Sequence, residues 1–446
     1  MLRSKPPRIS IFMAKLLINF IWNTVRNLFL IVLLSVVLSG CKDTADTTGK
    51  FDIEITVAPI VNPVVGNSSL PRLFSNGEEV YMSWVEKKDS LAILYYSNYN
   101  KESWSAPVFA AKGTDWFLNW ADFPVIAKND ENLLSTYLQK SSEDTYAYDI
   151  YVRYEMPYEE DGIAIGPPRV YQENYFKLHS DTTKTEHGFV SVVPAEEEGF
   201  FLSWLDGRNT GGSSHGDHSG HGGGAMTLRA AYVDMYGEIT DEIELDPRVC
   251  DCCQTSATIT PNGPLVAYRD RSDEEIRDIS VVRQVDGEWL DPQTIGNDNW
   301  EIAGCPVNGP SVDSFDNSVV LAWFTATGGE GAVQVVFSGD AGDTFGEPLR
   351  IDTGNATGRV DTVMLNNSEA VVLWMEPDGD DEVILLMKIT SEGKKDKPIT
   401  VSKTSAERAS GFPQLERFGN NLMIAWTDVT GETSSIKTAT LSLDKL

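Results

Sequence analysis

The chain has 446 residues, with 36 Lys and Arg against 66 Asp and Glu, a formal net charge of −30. Such an acidic surface repels phosphate backbones and excludes a nucleic-acid partner, while 41% apolar residues are enough for a large core. The length allows more than one ordinary domain, although radial β-arrays run long as single units.

Residues 1–40 carry five basic side chains (Arg3, Lys5, Arg8, Lys15, Arg26) and no acidic one, and end in the apolar run NLFLIVLLSVVLSG before Cys41. Basic residues ahead of a short apolar run that closes on small residues predict a signal peptide rather than a core helix. Leu38-Ser39-Gly40-Cys41 resembles the bacterial lipobox. That resemblance implies cleavage before Cys41, lipidation of its sulfur, and a protein anchored to a membrane of the bacterial cell envelope, periplasmic or surface-exposed. Residues 41–50 read as a flexible tether, and 51–446 as the folded domain.

Within that domain one phrase recurs: an apolar strand ending in an aromatic residue, then a polar turn. The copies are YMSWVE (Trp84), LLSTYLQ (Tyr137), FLSWLDG (Trp204), LVAYRDR (Tyr268), VLAWFTA (Trp323), VVLWMEP (Trp374) and MIAWTDV (Trp426). A spacing of roughly 50 to 67 residues built only from strands predicts an all-β fold, a β-propeller. Seven four-stranded blades account for the copies; six would require one repeat to be misread. The first blade reads LPRLF, VYMSWVE, AILYYSNY, SAPVFAA, and the fifth GPSVDSF, VVLAWFT, AVQVVFSG, GEPLRID. The seventh repeat stops after IKTATLSL, its third strand, so FDIEITVAP (51–59) is expected to supply the fourth and hide both open edges.

In a propeller the first strand of each blade lines the central channel, and the loop leading into it opens on the same face as the loop after the second strand. Residues about 15 to 18 positions before each aromatic marker should therefore ring one channel mouth. These are Trp120 and Asp122 in blade two, Glu186 and His187 in blade three, Cys252, Cys253 and Gln254 in blade four, Cys305 in blade five, Arg359 in blade six and Arg408 in blade seven.

Two residue sets on this mouth carry chemistry. After Cys41 only Cys250, Cys252, Cys253 and Cys305 remain, and the register sets the first three beside the fourth. In an exported protein they form either two disulfides, one from Cys305 to Cys252 or Cys253 and one within the C-x-C-C run, or a thiolate site for copper or zinc. All five histidines lie in or just before blade three: His179, His187, and His215, His218 and His221 in the Gly-rich HGDHSGH loop. A His-rich, Gly-rich tract is either a metal-binding segment or a polar insertion. The second set, Arg359 and Arg408 with Arg269 and Arg271 of blade four and the nearby Trp116 and Trp120, suits a carboxylated glycan or pairs with neighbouring acids.

FSGDAGDTFGEP holds Ser338, Asp340, Gly342, Thr344 and Phe345 in the spacing S-x-D-x-G-x-T-F, and a worn copy in blade one keeps Ser97, Ser103 and Trp104. This resembles the Asp-box of the sialidase-like, BNR-repeat propellers, and that resemblance implies a structural hairpin lock away from the functional face. It also implies glycan binding or exo-sialidase hydrolysis through an arginine triad. Aligning the family's R-I-P segment on SLPRL, however, puts Ser69 where its first arginine stands, with Arg72 three positions on. Three expectations stay open: a ligand-binding propeller with a copper or zinc site, a glycan-binding or glycan-hydrolysing protein, and a scaffold with disulfides only.

Overall fold

The computed structural model describes residues 57–157, 159–160, 163–164, 171–211 and 224–446. The signal segment, Cys41, the tether and the loop histidines His215, His218 and His221 lie outside the described residues. The remainder is a seven-bladed β-propeller of antiparallel sheets, with almost no helix among the described residues.

Blades one to six span Ser68–Gly113, Ile126–Lys177, His187–Val249, Ser256–Thr294, Ser311–Arg350 and Gly358–Ser405, each running from the channel outward. The outermost strand of blade four is split into Glu288–Trp289 and Gln293–Thr294, both paired with Ile279–Val285. Blade seven takes Gln414–Phe418, Asn421–Thr430 and Thr433–Ser442 from the C-terminus and its fourth strand, Ala58–Ile60, from the N-terminal side, with Ala58 opposite Thr440. The ring is thus closed by a strand from the N-terminal side, as the unfinished seventh repeat predicts, but by Ala58–Ile60 at the end of the expected segment 51–59, of which 51–56 lie outside the described residues.

The recurring phrase is the second strand of every blade, the one packed on both faces. Trp204, Trp323 and Trp374 are fully buried, and Tyr137, the most accessible of the seven markers, is only 8% exposed. A buried indole needs an acceptor for its N–H. Trp204 donates to Asp206 Oδ2 at 3.1 Å and Trp374 to Glu376 Oε1 at 2.7 Å, which explains the acid that follows the aromatic in these copies.

The innermost strands have a free edge toward the next blade, and side chains satisfy it. Ser191 Oγ accepts from Ala257 N (2.8 Å), Ser256 Oγ from Val312 N (3.0 Å), Ser311 Oγ from Thr362 N (3.1 Å), and Asp361 Oδ2 from Leu415 N (2.8 Å). Each bond joins consecutive blades around a central channel of about 560 Å3. Arg72 lies in this channel and donates to Gln414 Oε1 at 2.6 Å. Burial pushes Asp313, on the channel wall, up to about 6.

Three first strands begin with a bulge, at Ser69/Arg72, Gly188/Ser191 and Gly358/Asp361. Each bulge holds a left-handed residue: Leu70 (φ 59°), Phe189 (φ 57°) and Arg359 (φ 53°). Side chains rarely tolerate this backbone, and a bulge re-aims the one it carries.

The S-x-D-x-G-x-T-F segment turns between the third and fourth strands of blade five, at the end of the propeller opposite the mouth. Asp340 Oδ1 accepts from Ser338 Oγ (2.7 Å) and Thr344 N (2.9 Å), and Asp340 Oδ2 from Thr344 Oγ1 (2.6 Å). Gly342 sits at φ +82°, and a Cβ there would lie 2.3 Å from Leu265 Cδ1. In blade one Ser97 Oγ still donates to Ser105 O at 2.9 Å, and Trp104 packs on Tyr99 with ring centroids 5.3 Å apart.

Candidate functional site

The loops that lead into successive first strands meet at one mouth and are tied together by side chains. Asp122 Oδ1 accepts from Phe189 N (2.7 Å), and its Oδ2 from Tyr148 Oη (3.0 Å). The approach is close enough that a Cβ on Gly188 would stand 1.9 Å from Asp122 Oδ2, so only glycine fits. Burial pushes the Asp122 carboxyl up to about 8, against the Phe189 N–H, with the charge of Glu186 adding to the rise. Gln254 donates to Ala121 O and accepts from Gly309 N at 3.0 Å, and Asn308 Oδ1 accepts from Arg359 N at 2.7 Å.

The arginines grouped by sequence meet different fates. Arg359 rides its bulge into the mouth, where it donates to Ser410 Oγ and Gly411 O, both at 2.8 Å. Its guanidinium lies 4.9 Å from the Trp120 ring, which stacks on Phe412 at 5.9 Å. Burial brings its pKa down to about 10. Arg408, matched to it in sequence, sits exposed on the short 3-10 turn Arg408–Ser410. Arg269 ends the second strand of blade four, buried, and donates to the carbonyls of Asn308, Arg277 and Phe324 with Trp300 over its face at 5.1 Å. Arg271 is divided between Glu275 and Asp251. Trp116 stacks on Tyr137 at 4.7 Å. Arg269 therefore clamps the incoming loop of blade five, and Arg359 and Trp120 are the pair that meets at the mouth.

The thiols form a compact group. The outer strand of blade three, Ile239–Val249, delivers Cys250, whose N–H bonds Arg269 O at 3.0 Å. The sulfurs of Cys250, Cys252 and Cys253 all lie within 4.8 Å of one another, with Cys250 and Cys253 at 3.6 Å. None of the four is in a disulfide, and Cys305, exposed, interacts through its thiol with Cys252. Arg277 Nη1 donates to Cys250 Sγ at 3.2 Å. Burial opposes ionisation of Cys250, but hydrogen bonds from the Cys252 and Cys253 thiols and the charges of Arg277 and Arg269 together bring its pKa well below 9.0. Burial and the neighbouring Cys250 push Cys252 and Cys253 up. Within the group, the two neighbouring thiols and the two cations favour the thiolate form at Cys250.

His187 does not join these sulfurs. It opens blade three, and its Nε2 lies 3.0 Å from Asp181 Oδ2 and 3.6 Å from Asp206 Oδ1. Its ring stacks on His179 with centroids 3.9 Å apart. Burial and the neighbouring His187 lower His179 to about 3, so its imidazole is neutral. Burial would raise Asp206, but Arg208 and His187 outweigh it and hold it at about 2. His179, Asp149 and Asp181 are members of this second cluster that sequence register misses, because they lie on the third strand of blade two and on the link from its fourth strand to blade three. The only signal was a pair of histidines flanked by acids at a blade junction.

No family model matches the chain, and no curated protein matches it. Among solved structures it is similar to the NanB sialidase of Streptococcus pneumoniae (K499G mutant), with 11% identity, 91% of this chain and 73% of that one covered, and a TM-score of 0.43. It is also similar to the Hadza microbial sialidase Hz136, with 14% identity, 80% and 75% covered, and a TM-score of 0.45. For the polysaccharide lyase Uly1 the values are 10% identity, 89% and 94% covered, and a TM-score of 0.48. At these scores the likeness is at most one of fold, and the site has to be read from this chain's own residues.

Proposed function

We propose that this chain is an exported, lipid-anchored propeller that binds a soft metal ion, copper(I) or zinc(II), through Cys250, Cys252 and Cys253, with Cys305 as a fourth donor. The observation that carries the reading is the 3.6 Å separation of the Cys250 and Cys253 sulfurs. A disulfide requires about 2.05 Å. Two thiolates that share an ion through bonds of about 2.3 Å in a tetrahedron stand about 3.8 Å apart. The cations support the reading too: Arg277 and Arg269 offset the charge that added thiolates would bring into a buried site. Thiolate ligands select copper(I) or zinc(II) over magnesium or calcium.

The test is metal analysis with thiol counting on protein purified without a histidine tag. The expected result is about one equivalent of copper or zinc that disappears in Cys252→Ser, with four titratable thiols after chelation. Two disulfides and no metal would sink the proposal and leave the cysteines structural. Anchoring is tested separately by detergent-phase partition of the full chain, expected to be lost in Cys41→Ala.

A second reading, carbohydrate binding at the mouth, is favoured by Trp120 and Arg359, which meet there beside the exposed Arg408. It implies binding or hydrolysis of a sialoside that Arg359→Ala abolishes. A parent protein inert toward sialosides and other acidic glycans removes it.

A further inference from the structure

A second cluster, separate from the thiols, lies where blade two meets blade three. Asp149 stands on the third strand of blade two, His179 and Asp181 on the link after its fourth strand, His187 at the start of blade three, and Asp206 at the end of its second strand. His179 is only 2% exposed, yet among the described residues neither of its ring nitrogens has a hydrogen-bond partner, and Asp149 Oδ1 has none either. His179 Nε2 lies 3.5 Å from that oxygen, and His187 Nδ1 lies 3.7 Å from it. Buried polar atoms are rarely left this way, and those that are point to a missing ion or water.

The tautomer of His187 sharpens the case. Asp181 Oδ2, 3.0 Å from Nε2, calls for a proton on that nitrogen. Its Nδ1 faces the Tyr148 carbonyl oxygen at 3.1 Å and Asp149 Oδ1 at 3.7 Å. The donor atoms of His179, His187 and Asp149 all lie within 4.8 Å of one another, an arrangement that one bound cation would satisfy together. Donors bound to one ion at about 2.1 Å are about 3.0 Å apart in an octahedron and about 3.4 Å in a tetrahedron, close to the separations found here. A carboxylate that accepts from the far nitrogen of a ligating imidazole is the usual support for such a ligand.

We infer that His179 Nε2, His187 Nδ1 and Asp149, with the Tyr148 carbonyl, bind a divalent transition-metal ion of the zinc(II) type. Asp181 acts as a positioning residue that fixes the His187 ring. Asp206 is less available, since Arg208 takes both of its oxygens. Two imidazoles and a carboxylate suit zinc(II), and equally its probe cobalt(II), and they disfavour calcium and magnesium. The donor set contains no sulfur and shares no residue with the thiol group.

The test uses the full untagged chain, stripped with chelator and titrated with cobalt(II) and zinc(II). Cobalt(II) bound here should give visible bands without the sulfur-to-metal charge transfer that thiolates produce. His179→Phe, which keeps the ring packing, should lose about one equivalent of either ion, while Cys252→Ser should keep that equivalent. Asp181→Asn should weaken zinc(II) binding by about tenfold to a hundredfold. An unchanged metal count in folded His179→Phe overturns the site. If His179→Phe fails to fold, unchanged zinc(II) affinity in Asp181→Asn overturns it instead. Because the two clusters are read by different bands and different variants, failure of the thiol proposal leaves this result intact.

Discussion

The thiol group of blades four and five and the imidazole–carboxylate group of blades two and three solve the same problem with opposite electrostatics. The sulfurs sit beside Arg277 and Arg269, so cationic neighbours favour the deprotonated ligand. The imidazoles sit among Asp149, Asp181 and Asp206, so anionic neighbours favour a bound cation directly. Both lie at a junction between consecutive blades, where loops from two sheets converge and neither sheet alone completes the polar partners. The contrast teaches that two junctions of one propeller can carry opposite local charge through the few side chains at their rims, while the strands beneath stay the same.

The largest expected effect breaks the thiol side alone. Replacing Cys252 and Cys253 together by Ser should lower copper(I) affinity by at least about a hundredfold in competition with a chelator. Zinc(II) bound by the imidazoles should be unchanged; a parallel loss at both clusters would show that they are not independent. Next comes pH. Burial and the neighbouring Cys250 push Cys252 and Cys253 up, so metal binding there should release protons from both thiols, and affinity should rise by up to about a hundredfold per pH unit below the thiol pKa values. A flat profile between pH 6 and 8, on the order of one such step each way, would count against thiol ligands. Arg277→Met removes the cation on Cys250 and should move that profile to higher pH while lowering affinity about tenfold.

Smaller again is an effect on stability near the blade-two junction. The folded Asp122 carboxyl is raised from 3.8 to about 8, so the folded state keeps a proton that the unfolded chain releases. By linkage, its contribution makes the protein less stable as pH rises from near 4 to near 8, and constant above that. Asp122→Asn should flatten this part of a denaturant-midpoint-against-pH curve, and parallel curves for the two proteins would refute it. The smallest effect on the comparison is Asp340→Ala, at the far end of the molecule. It should cost about 1–3 kcal/mol by chemical denaturation and leave both metal affinities untouched.

The blade plan was readable because each second strand repeats one buried aromatic at a steady interval, and burial on both faces leaves little freedom in what that strand can be. The thiol group was readable for a related reason: three of its sulfurs fall within four residues, Cys250 to Cys253, and the register supplies Cys305. The imidazole cluster was not. Its members run from Asp149 to Asp206 across two blades, and two of them sit on a link whose path no repeat dictates. Arg359 and Arg408 show the limit of register itself: similar spacing from their markers put one in a bulge, buried, and the other on an exposed turn. The side-chain bonds between inner strands, such as Ser256 to Val312, were hidden because a serine in a strand carries no visible instruction about which blade it will serve.

The pairing of Ala58 with Thr440 sets a timetable for biosynthesis. The strand that completes the last sheet emerges from the ribosome before the others and finds its partner only when the chain is nearly finished. At about 5–20 residues per second that is a wait of roughly 20 to 80 seconds. For all that time Ala58–Ile60 is a short strand without a mate, and blade one has no neighbour on one flank. A nascent chain with this order of events gains from a holding partner until its C-terminal strands arrive, and a truncation near the C-terminus would strand both ends at once.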